Sequence, residues 1–515
     1  MTVSSVNVPP SVQIHQETAA ALTVGPCGRM QVKLIIKARF LLPIIPEDTL
    51  HQRFSVAINT EGTIVALGPS TDIAAAFIAE ENVDLLKSVL LPGFVNGHAH
   101  AGMTNMRGYA EDLPLSEWLT TAVWPAEGRC VSHAFVRDGT QLAIAEMLRS
   151  GTTCFNEMYF FPEATCEVVD ETGIRAVVGM TIMDFPTNYA SNYDEYVSKG
   201  LEAHKLYNSH PRISFTVSPH APYTVCDENL SKAWDLAKEL DIPFNIHLHE
   251  TADEVLHSSE PGHEGSSSRH RSSEYCSPVV NLDRLGIKGP RLIGAHMVHL
   301  SDSEIELLAK EKSNTIHCPE SNLKLASGFS PVQKLLNAGV NVGLGTDSSC
   351  SNNDLSMLGE IRTASLLGKA VHGCAAAMPG MTALKMATIN GARAVGLDHL
   401  IGSIEPGKQA DLVAISVRDG TVENIPMFSL FTHLTYSVDR SQVSDVWVAG
   451  KRLMSDRELL TIDIEAVYTR AQYWKHQLIS GTDQVLLESP SCLEETRRAI
   501  ASLKLAKIST PECTD

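Results

Sequence analysis

The chain has 515 residues, 43 % of them hydrophobic and 20 % charged. That is ordinary globular composition, with enough apolar material for a large core and no need of a disulfide or metal staple to fold. Forty-one basic and sixty acidic residues leave a net charge of −19, which excludes an electrostatic grip on nucleic acid or an anionic membrane surface as the main function. The 11 cysteines are an odd number without a C-x-x-C pair and read as reduced thiols. No apolar run reaches the ~18 residues of a membrane span. The first 28 residues carry no Lys or Arg, so no secretory or mitochondrial leader is expected and the expected compartment is the cytosol.

Residues 1–30 are rich in Ser, Thr and Pro without periodicity and read as a poorly ordered tail. From 31 to 90 short apolar runs alternate with turn signals. "VKLIIKARFLL" and "SVAINTEGTIVALGP" are predicted strands, the second turning at Glu61-Gly62. The same texture returns over 403–460 in "GSIEPGKQADLVAIS" and "SDVWVAGKRLM", with turns at Pro406-Gly407 and Ala449-Gly450. The two segments are expected to form one small β-sandwich domain built from both chain ends.

Between them, over 91–402, the pattern alternates. The apolar runs "SVLLPGFVNGHAH", "RAVVGMTIM", "RISFTVSPH", "IPFNIHLHE", "RLIGAHMVHL", "SNTIHCPES" and "VNVGLGTDSS" are separated by helical stretches such as "FVRDGTQLAIAEMLRSG", "DENLSKAWDLAKELD", "SDSEIELLAKEK" and "SPVQKLLNAG". Repeated strand–helix units over this length predict an α/β protein with a (β/α)8 TIM-type barrel. A doubly wound sheet lacks support, because no G-x-G-x-x-G follows the first strand. Within the barrel, 257–278 is a Ser/Gly/His-rich surface insertion that reads as a solvated loop. After 461 comes a helical extension, with an amphipathic stretch "IEAVYTRAQYWKHQL" and a last helix near 493–504.

The candidate chemistry lies where the histidines and acids fall: His98 and His100, His220, His247 with His249 and Glu250, His296, and Asp347 all close predicted strands. In a parallel barrel those ends meet on the rim that carries active sites. His98 and His100 are two apart on one strand and share a side. With a third imidazole and a carboxylate from other strands they supply an N3O set for one divalent cation, leaving a position for water. Imidazole with carboxylate suits zinc or iron(II) rather than magnesium. The bland readings are core histidines for His220 and His296, and a turn or helix cap for Asp347. His299 and His317 read as structural. His249 has the same parity as His247, and spacing does not choose between them. No lysine ends "RISFTVSPH" to bridge a second metal. The sequence also lacks a P-loop, a G-x-S-x-G elbow, H-E-x-x-H and the cytidine-deaminase signature.

The segments "LPGFVNGHAHAGMTNMRGYAEDLPLSEWL", "SPHAPYTVCDENL", "FNIHLHET", "AHMVHL", "HCPESNLKLASGFSPVQKLLNAGVNVGLGTDSSCSNNDLSMLGEIRTASLLGK" and "PGKQADLVAI" resemble the amidohydrolase superfamily over residues 31–460. Within it they are most similar to the 5-methylthioadenosine/S-adenosylhomocysteine deaminases. The resemblance implies a metal-dependent deaminase of adenine nucleosides that releases ammonia, with guanine deaminase or a triazine-type hydrolase as the alternative. It implies His98, His100, His247 and Asp347 as ligands of one divalent ion, zinc or else iron(II). Glu250 becomes the proton shuttle, His296 and Asp347 handle the water, and Glu127 and His220 hold the nucleoside. A homodimer or higher homo-oligomer is also implied. The arginines that the family uses for substrate have no matching motif, although Arg175 and Arg212 fall in range. Ser348-Ser349-Cys350 departs from the usual Gly-Ala-Ala, and the insertion at 257–278 is longer than the family's loop.

Overall fold

The structure is a computed structural model that describes residues 8–25, 27–257, 276–417 and 427–480. Two sheets organise it. The first is mixed and holds β1 (Gln13–Ile14), β2 (Met30–Leu41), β3 (His51–Ile58), β4 (Ile64–Pro69) and β5 (Phe77–Pro92) from the front of the chain. The second is all parallel, made of β6 (Phe94–Ala99), β7 (Thr152–Glu157), β8 (Arg175–Ile182), β9 (Ile213–Pro219), β10 (Phe244–Leu248), β11 (Leu292–His296), β12 (Asn314–His317) and β13 (Asn341–Leu344). Late in the chain, β14 (Leu412–Ser416), β15 (Val443–Val448), β16 (Lys451–Ser455) and β17 (Glu458–Leu459) return to the first sheet.

The parallel strands lie in sequence order from β6 to β13. Helices cover the outside and side chains fill the inside, so a strand such as Arg175–Ile182 is buried at every position. The seam closes at the carboxyl ends, where Ala99 bridges Asp347 and the Asp347 N–H donates to the His98 carbonyl at 3.0 Å. Gly345 allows this approach, since a Cβ there would sit 2.8 Å from the His98 nitrogen. The expected TIM-type barrel is present. Its second strand, β7, belongs to none of the seven runs that the sequence pattern picks out.

The chain-end strands form one nine-stranded ladder in the order β1-β4-β3-β2-β5-β14-β15-β16-β17. The β3–β4 turn and the β15–β16 turn meet at the segment before β14. Ala410 N–H donates to the Gly62 carbonyl at 2.8 Å and Gly450 N–H to the Ala410 carbonyl at 3.1 Å. Residues from both halves, including Leu34, Val56, Leu67, Leu412 and Trp447, share one buried cluster. The Ala449-Gly450 turn has φ of +48° and +71°, the left-handed pair that joins β15 and β16 tightly. Only Gly93 separates β5 from β6, so the small sheet runs directly into the barrel.

Residues 8–25 correct one expectation. Read as a poorly ordered tail, they carry a strand that pairs Gln13 with Leu67 and a helix, Gln16–Ala20, that buries Ala19. Their few apolar side chains, Val12 and Ala19 among them, cover the outer face of the small sheet beside Ile35, Val65 and Ile73. The amphipathic stretch after 461 forms the helix Ile464–Ser480. It packs Trp474 on Phe135 and donates the Trp474 indole N–H to Asp138 at 2.8 Å. Of the insertion expected at 257–278, residues 258–275 lie outside the described residues, as does the helix expected near 493–504. Among the described residues, no helix is long and apolar enough to cross a membrane.

Candidate metal centre

The expected residues meet at the carboxyl rim of the barrel. His98 Nε2 and His100 Nε2 lie 3.1 and 3.2 Å from His247 Nε2, and Asp347 Oδ1 is 3.5 Å from His98 Nε2 and 3.1 Å from His100 Nε2. One atom each from His98, His247, His296 and Asp347 fall within 4.8 Å of one another. Five groups thus face one point, one more than a tetrahedral N3O set uses. His296 stands apart from the other four by its neighbour, since its Nε2 is 3.9 Å from Glu250 Oε2.

Backbone partners aim the rings. His100 Nδ1–H donates to the Met158 carbonyl at 2.5 Å and His247 Nδ1–H to the His220 carbonyl at 2.7 Å. Each bond fixes the tautomer and turns the Nε2 lone pair towards the centre. Ser321 and Ser351 hydroxyls donate to Asp347 Oδ2 at 2.7 and 2.8 Å, which leaves Oδ1 to face the imidazoles. His296 Nδ1 pairs with Asn322 Oδ1 at 2.8 Å. His296 and Asp347 both have positive φ, +74° and +59°, a costly conformation held at these two site positions by the surrounding bonds.

The electrostatics call for a cation. Burial brings the His98 imidazole down to about 4, and burial with the neighbouring His98 drives His247 well below the ordinary histidine value. Burial works to raise Asp347, but its contacts with His100 and His98 overcome this and hold it well below the usual carboxylate range. Burial works to lower His100 and His296 as well, but Asp347 raises the first and Glu250 with Asp347 the second, and His296 Nε2 is buried and unpartnered among the described residues. Three imidazole nitrogens and a carboxylate oxygen at these spacings are the donor set of a divalent ion, which would replace the protons the cluster otherwise shares.

Other expected residues surround the same cavity. Its walls include Glu127, His220 and Glu250 along with His100, His247, His296 and Asp347; His98 lies behind them, fully buried. Glu127 projects from the helix Trp124–Cys130 and accepts the Tyr159 hydroxyl at 2.7 Å. Burial lifts the Glu127 carboxyl to about 7 and raises that of Glu250. The His247/His249 ambiguity is resolved by geometry. His249 Nδ1–H donates to the His299 carbonyl at 2.6 Å and its Nε2 accepts the Val279 N–H at 3.0 Å, so the ring faces away from the centre. His299, paired with the Ser327 carbonyl at 2.6 Å, is structural as expected. Arg175 and Arg212 are not at the site. Arg175 opens β8 at the opposite rim and grips Asp411 at 2.7 and 3.0 Å, and Arg212 lies 3.4 Å from Asp170. Ser348 of the divergent triplet lines the cavity and accepts the Ser351 N–H at 3.0 Å.

Two supporting acids escaped the sequence reading. Glu157, at the end of β7, takes the Ala101 N–H on both oxygens, at 3.0 and 2.8 Å, directly after His100. Glu254 takes the N–H of His249 at 2.9 Å and that of Glu250 at 2.7 Å. A signal for Glu254 was present: Thr251-Ala-Asp-Glu254 is a capping-box spacing, and Glu254 N–H does donate to Thr251 Oγ1 at 3.1 Å.

A parallel barrel whose rim gathers imidazoles and carboxylates around one cation position defines a metal-dependent hydrolase. Residues 89–453 match the amidohydrolase family, and the chain belongs to it. It is 44 % identical over 442 residues to a 5-methylthioadenosine/S-adenosylhomocysteine deaminase of Saccharophagus degradans, covering 86 % of this chain and 96 % of that protein. A protein of the same name from Teredinibacter turnerae is 41 % identical over 443 residues, covering 86 % and 97 %. Among solved structures, an adenosine deaminase from Xanthomonas campestris with bound zinc superposes with a TM-score of 0.83 at 44 % identity, covering 87 % of this chain and 99 % of that one. The atrazine chlorohydrolase of Arthrobacter aurescens, at 20 % identity and a TM-score of 0.77, covers 86 % and 99 % and shares the fold.

Proposed function

We propose that this chain is a hydrolytic deaminase of adenine nucleosides of the 5-methylthioadenosine, S-adenosylhomocysteine or adenosine kind. The carrying observation is that Glu250 and Glu127 open onto the same cavity as the imidazole–carboxylate cluster. In this reading Glu250 protonates a ring nitrogen and Glu127 holds the ribose diol. Names of relatives at 44 and 41 % identity support the same substrate class.

His98, His100, His247 and Asp347 would hold one divalent ion, zinc or else iron(II) by the chemistry of three imidazoles and a carboxylate. When bound, that ion acts as a Lewis acid and brings the pKa of a water from ~15.7 towards ~7. Asp347 accepts the proton of the attacking water, and His296 keeps that water in line with the purine carbon bearing the amine. Glu250, its carboxyl raised by burial, protonates the adjacent ring nitrogen. Water adds at that carbon, the proton taken up by Asp347 passes to the exocyclic nitrogen as its C–N bond breaks, ammonia leaves, and the hydroxyl proton of the collapsing adduct restores Glu250 and gives the inosine analogue. Glu127 accepts hydrogen bonds from two ribose hydroxyls and would be left buried and unpaired by a substrate that lacks them. His220 stands beside His247, its ring centroid 4.7 Å away, and borders the purine.

The test is ammonia release from adenosine, 5-methylthioadenosine, S-adenosylhomocysteine and guanine, with zinc measured in the same sample. Nucleoside turnover and about one zinc per chain are expected. Turnover of guanine alone would replace this reading with a free-base deaminase. Glu250→Gln should keep its zinc and lose turnover by orders of magnitude. Glu127→Ala should impair nucleosides far more than a free base.

A further inference from the structure

Two neighbouring residues just past the end of β7 reach different parts of the site. The Met158 carbonyl accepts the His100 Nδ1–H at 2.5 Å, and the next residue, Tyr159, donates its hydroxyl to Glu127 Oε1 at 2.7 Å. One short stretch therefore grips a metal ligand and the acid read above as the holder of the ribose. We propose that Tyr159 sets the preference for a ribose diol, by fixing the Glu127 carboxylate as an acceptor at a defined place relative to the metal ligands. It is a positioning residue that acts through Glu127. The inference rests on the reading above that the substrate is an adenine nucleoside.

The tyrosine is held firmly. Tyr159 is 4 % exposed, and its ring centroid lies 5.1 Å from that of Phe160. A Cβ on Gly102 would stand 2.7 Å from Tyr159 Cδ1, so glycine there makes room for the ring. The Tyr159 carbonyl accepts the Thr181 hydroxyl of β8 at 3.0 Å. Burial and the neighbouring Glu127 raise the phenol well above its usual range, so it keeps its proton and remains the donor. Glu127 depends on that donor. The end of its helix is tied down, because Asn188 Nδ2 donates to the Glu127, Gly128 and Val131 carbonyls at 3.2, 3.1 and 3.1 Å. Its carboxylate, however, has the Tyr159 hydroxyl as its one hydrogen-bond partner among the described residues. An ionised carboxylate offers about four acceptor sites. With one taken by Tyr159, the two hydroxyls of a vicinal diol share the rest. Removing the phenol oxygen changes two things. The carboxylate gains rotamers that binding must then freeze. Burial also acts with less opposition and favours a protonated carboxyl, which presents a donor where the diol needs an acceptor. A sugar without those hydroxyls makes no such bond and loses nothing by either change.

The experiment compares adenosine with 2′,3′-dideoxyadenosine on the zinc-loaded native enzyme and on Tyr159→Phe, which removes the hydroxyl alone. The native enzyme should prefer adenosine. In Tyr159→Phe the ratio of the two kcat/KM values should fall about tenfold, through a higher KM for adenosine with kcat within about twofold. That ratio is unaffected by partial loss of folded enzyme. In a Glu127→Ala background, Tyr159→Phe should cost adenosine less than about twofold more. An unchanged ratio in Tyr159→Phe would overturn the proposal, as would a kcat loss shared equally by both nucleosides. The full loss persisting without Glu127 would also overturn it, since the hydroxyl would then act on the nucleoside itself. No ammonia from either nucleoside, or no preference in the native enzyme, would remove the ribose-holding reading beneath the proposal and the proposal with it.

Discussion

Replacing Glu254 by Gln separates the positioning of Glu250 from the holding of the metal. In the native site the two carboxylate oxygens of Glu254 take the backbone N–H groups of His249 and Glu250 at 2.9 and 2.7 Å. Gln keeps one acceptor and turns an NH2 towards the other N–H. One hydrogen bond is lost and a buried donor is left facing a donor, together worth ~1–3 kcal/mol. If about 2 kcal/mol of that falls on the placement of Glu250 in the transition state, kcat drops roughly 30-fold at 1.36 kcal/mol per tenfold. Zinc content should stay at wild type, because His247 is oriented by the His220 carbonyl at 2.7 Å and not by Glu254. KM should change less than about twofold, since Glu127 is untouched. Steady-state ammonia release on 5-methylthioadenosine with metal analysis reads all three. An unchanged kcat, or a kcat that falls only in proportion to lost zinc, would refute the positioning role.

Arg175→Met leaves Asp411 as an unpaired carboxylate in a site where both side chains are 2 % exposed. Chemical denaturation should show a loss of about 3–5 kcal/mol with KM unchanged; a shifted KM at full stability would contradict its place at the far rim. Burial raises the Glu157 carboxyl from 4.5 to about 7. A raised acid stabilises the fold most below its unfolded pKa and loses that contribution as pH climbs through the folded one. The metal-free protein should therefore lose about 3 kcal/mol through this group between pH 4.5 and 7, and Glu157→Gln should flatten that part of the profile. Parallel profiles for the two proteins would count against it. Stripping the metal with a chelator should abolish turnover and lower unfolding stability by ~4 kcal/mol relative to protein in zinc at a thousand times its Kd. Equal stability with and without zinc would mean that the cluster holds no ion.

The barrel was legible because its strands are short, buried on both faces and closed by residues that do not belong in a core. "IPFNIHLHE" and "VNVGLGTD" announce both a strand and a ligand. β7 was not legible, since Thr-Thr-Cys-Phe-Asn-Glu is buried throughout yet too polar to stand out as an apolar run. Its Glu157 went unseen with it. The front of the chain misled for the opposite reason. A handful of apolar residues in Ser/Thr/Pro-rich text still sufficed, because β4 offered Gln13 and Ile14 a ready edge. Arg175 could be counted but not located, because a strand's amino end and its carboxyl end look alike until the topology fixes which rim carries the metal.

The same contrast explains why the reaction is easier to read than the substrate. Four of the five groups that face the cation position are held from behind: His100 and His247 by the Met158 and His220 carbonyls, His296 by Asn322, and Asp347 by Ser321 and Ser351. Such bonds tolerate few residue types, so they leave short, recognisable words at strand ends. The remaining walls of the metal-facing cavity come from the helix Trp124–Cys130 and the stretches after β7 and β8, which contribute mostly apolar side chains such as Trp124, Phe160 and Met183. Many side chains satisfy that requirement, and no spacing rule marks them.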